Sequence, residues 1–166
     1  VRVLLVRHAI AAERGVFPGE DRERPLTSAG RRRFRRGARG ISAHVPELAL
    51  IVTSPLLRAR QTAEILRQAH PEHPEVVVMD GLAPAGRTAS VLRYLNDRRD
   101  LGTIALVGHE PGLSRLEGLM LAGRPESLAE LRKGGAALVE FRGAVRGGGG
   151  SLLWHLTAGL ARELEP

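Results

Sequence analysis

The sequence predicts an α/β fold: three layers, with a mainly parallel mixed sheet held between helices on both faces. Three near-continuous apolar runs, Val3–Val6, Leu48–Thr53 and Thr103–Val107, are rich in branched side chains and have the length of strands buried on both sides. Segments with helical spacing of apolar residues separate them, and such strand–helix alternation is what parallel crossovers produce. Each run also stops abruptly in polar or breaker residues, at Arg7-His8, Ser54-Pro55 and Gly108-His109.

After the first run, Ala11 to Pro25 is polar and broken by Gly15, Pro18, Gly19 and Pro25, so it reads as a surface loop long enough to border a site. Thr27 and Ser28 offer hydroxyl caps to a helix from about Ala29 to His44. The second strand ends at Ser54-Pro55, where a hydroxyl cap followed by proline at the first helical position opens a helix to about Ala69. His70-Pro71-Glu72-His73-Pro74 is expected to be a solvated turn rather than a metal site, because the prolines constrain the backbone and no third ligand lies near in sequence. Glu75–Met79 is the next strand and Asp80–Gly86 a loop. Thr88–Arg98 has helical spacing in Val91, Leu92 and Leu95.

The run at Thr103–Val107 leads through Gly108-His109-Glu110-Pro111-Gly112 into a helix ending near Leu121, and a polar stretch follows to Gly135. Ala137–Arg142 and Ser151–Thr157 read as strands joined across Gly143–Gly150. The four consecutive glycines there suit a hairpin connection, since a phosphate-cradling loop would need a helix after it. No repeat or linker interrupts the pattern, and residues 1–166 are expected to fold as one domain.

Apolar content of 43% and charged content of 26% exclude disordered and fibrous classes. The absence of cysteine removes a disulfide framework, a thiol nucleophile and cysteine-ligated zinc, and agrees with a cytoplasmic protein. The apolar start is too short for a signal peptide or membrane span and is broken by Arg7, so a soluble protein without a membrane partner is expected. The net charge of +7 is almost wholly arginine, Lys133 being the only lysine. Its densest block, Arg31-Arg32-Arg33-Phe34-Arg35-Arg36, could track nucleic-acid phosphates. With 3% aromatic residues there is little to stack on bases, so the block is read as a solvated helix face and nucleic acid is not an expected partner.

The chemistry lies at the strand ends. Strand one delivers Arg7 and His8, strand two Ser54 and, one helical turn on, Arg58, and the Thr103–Val107 strand His109. In a parallel sheet these carboxyl ends share an edge, where ligands of open α/β folds bind. Two guanidiniums match the oxygens of a phosphoryl group, and helix N-termini after Ser54 and near Pro111 add positive dipole ends. One histidine kept neutral by a hydrogen bond at one ring nitrogen can attack with the other, while the second donates to a phosphoryl oxygen. The pattern is that of phosphoryl transfer through a phosphohistidine.

These residues resemble the histidine phosphatase superfamily, with its phosphoglycerate mutase-like fold. The resemblance rests on Arg7-His8 after strand one, on Ser54-Pro55-Leu56-Leu57-Arg58-Ala59-Arg60-Gln61-Thr62-Ala63, and on His109 after a later strand, all in the family's order. It implies that His8 is the phosphorylated nucleophile and that Arg7, Arg58 and His109 form the phosphate pocket. Arg24-Pro25-Leu26-Thr27-x-x-Gly30, Leu82-x-Pro84-x-Gly86 and the short length look like the small SixA-type phosphohistidine phosphatase branch, which implies Arg24 as a further phosphate ligand. Two positions depart from the pattern. Ala9 replaces the usual glycine, which ordinary backbone angles would tolerate, and no glutamate matches the acid that larger branches carry in an insertion. Asp21 is the expected proton donor, with Glu13, Glu20 and Asp80 as rivals. A phosphoramidate leaves readily once protonated, so its cleavage asks less of an acid than an alkyl phosphate does.

The expected function is therefore a metal-independent phosphatase, without cofactor, whose partners are phosphorylated proteins or small phosphorylated substrates; protein phosphohistidine is preferred. A phosphatase for small phosphate esters, and a phosphate- or phosphoprotein-binding module without turnover, are the alternatives. Gln61, Thr62 and Ala63 read as packing and capping residues.

Overall fold

The computed structural model describes residues 1–166. Its strands are β1 (Arg2–Arg7), β2 (Leu50–Thr53), β3 (Glu75–Val78), β4 (Thr103–Gly108), β5 (Ala136–Glu140) and β6 (Ser151–Leu156). Its helices are α1 (Ser28–His44), α2 (Leu57–Ala69), α3 (Thr88–Asn96), α4 (Gly112–Ala122) and α5 (Ala158–Glu163). The six strands form one sheet in the order β3-β2-β4-β1-β5-β6. Its first four strands are parallel, and β5 pairs antiparallel with both β1 and β6.

Alternation along the buried strands divides the core in two, as side chains of successive strand residues point to opposite faces. Leu4, Val6, Ala105 and Val107 pack with Phe34 and Ile41 of α1, Ala63 and Leu66 of α2 and Ala161 of α5. Val3, Leu5, Ile104 and Leu106 pack on the other face with Val91 and Leu95 of α3 and Leu113, Leu116 and Met120 of α4. The three-layer α/β class read from the sequence is thus present, with helices on both faces.

Thr27 caps α1, its side chain accepting from the Gly30 N–H at 2.9 Å. The expected cap at Ser54 differs: α2 begins at Leu57, and the Ser54 hydroxyl lies 2.8 Å from a ring nitrogen of His109. The glycine run does join β5 to β6, and the Gly148 and Gly150 N–H groups donate to the Leu119 and Met120 carbonyls at the end of α4. His70 is not in a solvated turn as expected but is buried, its two ring nitrogens 2.8 Å from the Leu66 carbonyl and 3.0 Å from that of Val45. It joins the end of α2 to the segment after α1. No helix is long and apolar enough to cross a membrane.

Candidate active site

Register brings the two histidines together. β1 and β4 are parallel neighbours with Arg7 opposite Gly108, so His8 and His109 each lie one residue past a paired position at the same sheet edge. Their ring centroids are 5.0 Å apart, with planes inclined at 54°. Both rings are buried.

His8 Nδ1 lies 2.7 Å from the carbonyl oxygen of its neighbour Ala9. A carbonyl only accepts, so Nδ1 carries the proton and Nε2 keeps its lone pair. Nε2 has no hydrogen-bond partner and reaches solvent. Burial lowers the pKa of His8 to about 4. The Ala9 carbonyl opposes that shift, while Arg58, Arg7 and Lys133 add to it, so the ring is neutral at pH 7. Ala9 does not have positive φ, so the methyl group that replaces the family's glycine is accommodated by an ordinary backbone.

Burial is also the main cause of the lowered pKa of His109, about 3, and the charges of His8 and Arg58 push it further down. Ser54 Oγ accepts weakly from the Leu56 N–H at 3.3 Å, which leaves its own proton to donate to His109 Nε2. The proton of the His109 ring is thereby assigned to Nδ1, which is buried without a partner.

Arg58, at the start of α2, is 2% exposed although charged. It donates from Nη1 to the Asp21 carbonyl at 2.8 Å and from Nη2 to Asp21 Oδ2 at 3.2 Å. Arg7 donates from Nη1 to the Leu131 carbonyl at 2.7 Å and to Glu130 Oε1 at 3.0 Å. Four buried side-chain polar atoms in the whole chain lack partners, and three belong to this site: Arg7 Nε, Arg58 Nε and His109 Nδ1. Buried polar groups are otherwise almost always paired, so this concentration marks a place built for a polar ligand.

Asp21 joins the group through its arginine partners. Its Oδ1 accepts from Arg14 at 3.0 Å and from Arg24 at 2.8 Å, and its Oδ2 from Arg58. Burial alone would raise the Asp21 carboxyl. The hydrogen bonds from Arg14 and Arg24, with the charges of Arg58 and Arg24, outweigh it and hold the group far below the ordinary carboxylate range. A carboxylate so held is an anion near neutral pH, on which Arg14, Arg24 and Arg58 converge. Arg24 is half buried and bonded to Asp21 and to the Ala12 carbonyl, so it buttresses Arg58 through Asp21. Glu13, Glu20 and Asp80 are exposed.

Glu110 and Glu130 were not singled out by sequence reasoning, and Thr62, read there as a packing or capping residue, joins them in positioning the site. Thr62, buried on α2, accepts from the Ala9 N–H at 3.1 Å and donates to the Arg58 carbonyl at 2.7 Å, tying the His8 turn to the Arg58 helix. Glu110 accepts from the Leu131 N–H and from the Ser114 hydroxyl, and so secures the segment whose Leu131 carbonyl and Glu130 carboxylate hold Arg7. Glu110 follows His109 directly, and a carboxylate beside a rim histidine was the available signal. Nothing local marks Glu130, because only the fold brings it to Arg7.

The fold and the site define an α/β protein with paired histidines and paired arginines at the carboxyl edge of a parallel sheet. The model of the histidine phosphatase superfamily (branch 1) matches residues 3–85, half of the chain, which include Arg7-His8 and Arg58 and stop short of His109. A protein of Picosynechococcus sp., uncharacterised, is 39% identical over 132 residues, 78% of each chain. The chain belongs to the histidine phosphatase superfamily, and with it to the hydrolases of phosphatase type. Among solved structures, the protein histidine phosphatase SixA complexed with tungstate superposes with a TM-score of 0.85 over 96% of this chain and 99% of its own, at 24% identity. The alpha-ribazole phosphatase of Shigella flexneri superposes with a TM-score of 0.76 over 95% of this chain and 97% of its own, at 15% identity. At these identities the two structures share its fold.

Proposed function

We propose that the chain is a protein phosphohistidine phosphatase in which His8 Nε2 takes the phosphoryl group. The carrying observation is the His8 ring itself: proton fixed on Nδ1 by the Ala9 carbonyl, ring neutral, Nε2 open. In the first step the Nε2 lone pair forms a bond to phosphorus while the bond from phosphorus to the substrate's leaving nitrogen breaks, and that nitrogen takes up a proton from solvent. In the second, water attacks phosphorus, phosphate leaves, and His8 is restored. Positive charge on the phosphorylated imidazole is stabilised by the Ala9 carbonyl. Arg7, Arg58 and the Nδ1 proton of His109 face the charge on the phosphoryl oxygens in flight, a purely positional and electrostatic contribution. These residues neutralise that charge in a reading that calls on neither metal nor cofactor.

The carboxylates of Asp21, Glu110 and Glu130 are engaged by arginine, hydroxyl or backbone partners, which suits a phosphoramidate substrate, whose leaving nitrogen needs less help than an alkoxide. The likeness in fold to a protein histidine phosphatase complexed with tungstate, a tetrahedral oxyanion, supports the same choice. The likeness to a ribazole phosphatase keeps small phosphate esters as the second reading. The test compares a phosphohistidine protein with p-nitrophenyl phosphate, using wild type and His8→Ala. Wild type is expected to prefer the phosphoprotein, and His8→Ala to lose at least about a thousandfold in rate on both. Undiminished turnover by His8→Ala would remove the proposed nucleophile, and a preference for the ester would select the second reading.

A further inference from the structure

Next to His8, between α1 and α5, lies a cleft of about 50 Å³ where Arg33, Lys133 and Arg162 stand around a wall that includes Ile10, Phe34 and Ala158. It is built into the same edge of the sheet as the site. The Gly134 N–H donates to the carbonyls of Arg7 at 3.1 Å and His8 at 3.2 Å, and the Lys133 charge is felt at the His8 ring. Ile10 is two residues beyond His8, so the Cα atoms of this lining residue and of His8 are at most about 7 Å apart.

None of the three cations has a carboxylate partner. Glu165, the acid beyond α5, is engaged by Arg36 and Arg39, and Arg162 spends only Nη1, on the Ala158 carbonyl at 2.8 Å. Like charges gathered around one hollow repel each other, so folding alone gains nothing from the arrangement. The volume admits a few water-sized groups, roughly a carboxylate with its methylene, and is too small for a nucleobase or sugar ring. A nucleic acid would also need a longer basic track with aromatic faces, which the cleft does not provide.

We propose that this cleft receives an Asp or Glu side chain of the phosphorylated protein, so that preferred substrates carry carboxylates within a few residues of the phosphorylated side chain. The proposal rests on the phosphatase reading of His8 and names its substrate class more narrowly. Arg33, Lys133 and Arg162 touch the flanking acid and not the phosphoryl group, so they act on KM rather than on the chemical step.

The test uses two phosphohistidine peptides, one flanked by Asp and Glu and one by Ala, with wild type and Arg33→Gln/Arg162→Gln. Wild type is expected to show a KM roughly tenfold lower for the acidic peptide, a gap that added salt narrows. The double variant closes most of that gap and leaves the Ala-flanked peptide and p-nitrophenyl phosphate unaffected. Equal KM values in wild type, or an acidic preference kept by the variant, would overturn the proposal. Fluorescence anisotropy with the unphosphorylated acidic peptide separates the two readings. Binding that the variant loses, in a protein with no turnover, upholds the cleft and sinks the phosphatase reading. Tighter binding of a single-stranded oligonucleotide of equal charge would overturn the assignment to acidic protein.

Discussion

His8 and Asp21 lie in the same site and are both displaced from their ordinary pKa values, with opposite consequences for charge. For His8 the displacement preserves a lone pair at neutral pH; for Asp21 it fixes a charge on which Arg14, Arg24 and Arg58 converge. Asp21→Asn keeps the shape and removes the charge. It is expected to raise KM for phosphorylated substrates about three- to tenfold by loosening Arg58, with the alkaline limb of the kcat profile unmoved. A proton donor at this position would instead show a collapse of kcat and loss of that limb, which a pH series on the variant resolves. The sequence made Arg7, His8, Arg58 and His109 legible because each follows a strand end or opens a helix. It could not assign Asp21, because the three arginines that define its state lie seven residues before it, three after it and on another helix.

At the scale of elements, the buried strands were readable from their own composition, whereas α5 was not. Six residues carry too little periodicity to announce a helix, and so short a helix depends on the surface it docks against. That surface is α1, where Gly40 allows the two backbones to meet. A Cβ there would stand 1.9 Å from the Ala161 carbonyl oxygen. Gly40→Ala is therefore expected to push α5 away and lower Tm by roughly 4–8 °C in a thermal melt, an overpacking cost of about 2 kcal/mol. The start of α2 was misplaced for a different reason. Ser54-Pro55 has the form of a cap and first turn, and the Ser54 hydroxyl both accepts from the Leu56 N–H and donates to His109, yet Pro55 and Leu56 remain outside the helix, which begins at Leu57.

For the whole molecule, burying two neutral imidazoles makes folding depend on pH. The unfolded chain protonates both as pH falls through about 6.5, while the folded rings stay neutral until about 4 for His8 and about 3 for His109. The unfolded state thus binds more protons in that window, and stability falls with falling pH. For His8 alone the loss by pH 4 is about 3 kcal/mol. Denaturant midpoints measured from pH 7 to pH 4 are expected to decline, and His8→Asn/His109→Gln to flatten the slope. The fold class and the shared carboxyl edge followed from strand–helix alternation. The order of the strands did not, because nothing local to β1 says that it will lie between β4 and β5.

That position has a further consequence. The edges of the sheet are β3 and β6, the first backed by a single neighbouring strand and the second followed by the short α5, and these are where the molecule would first breathe. His8 and His109 stand instead just past the ends of the innermost pair, β1 and β4, whose apolar side chains are wholly buried. Partial opening of either flank would alter what can approach the site while leaving the two rings in mutual register.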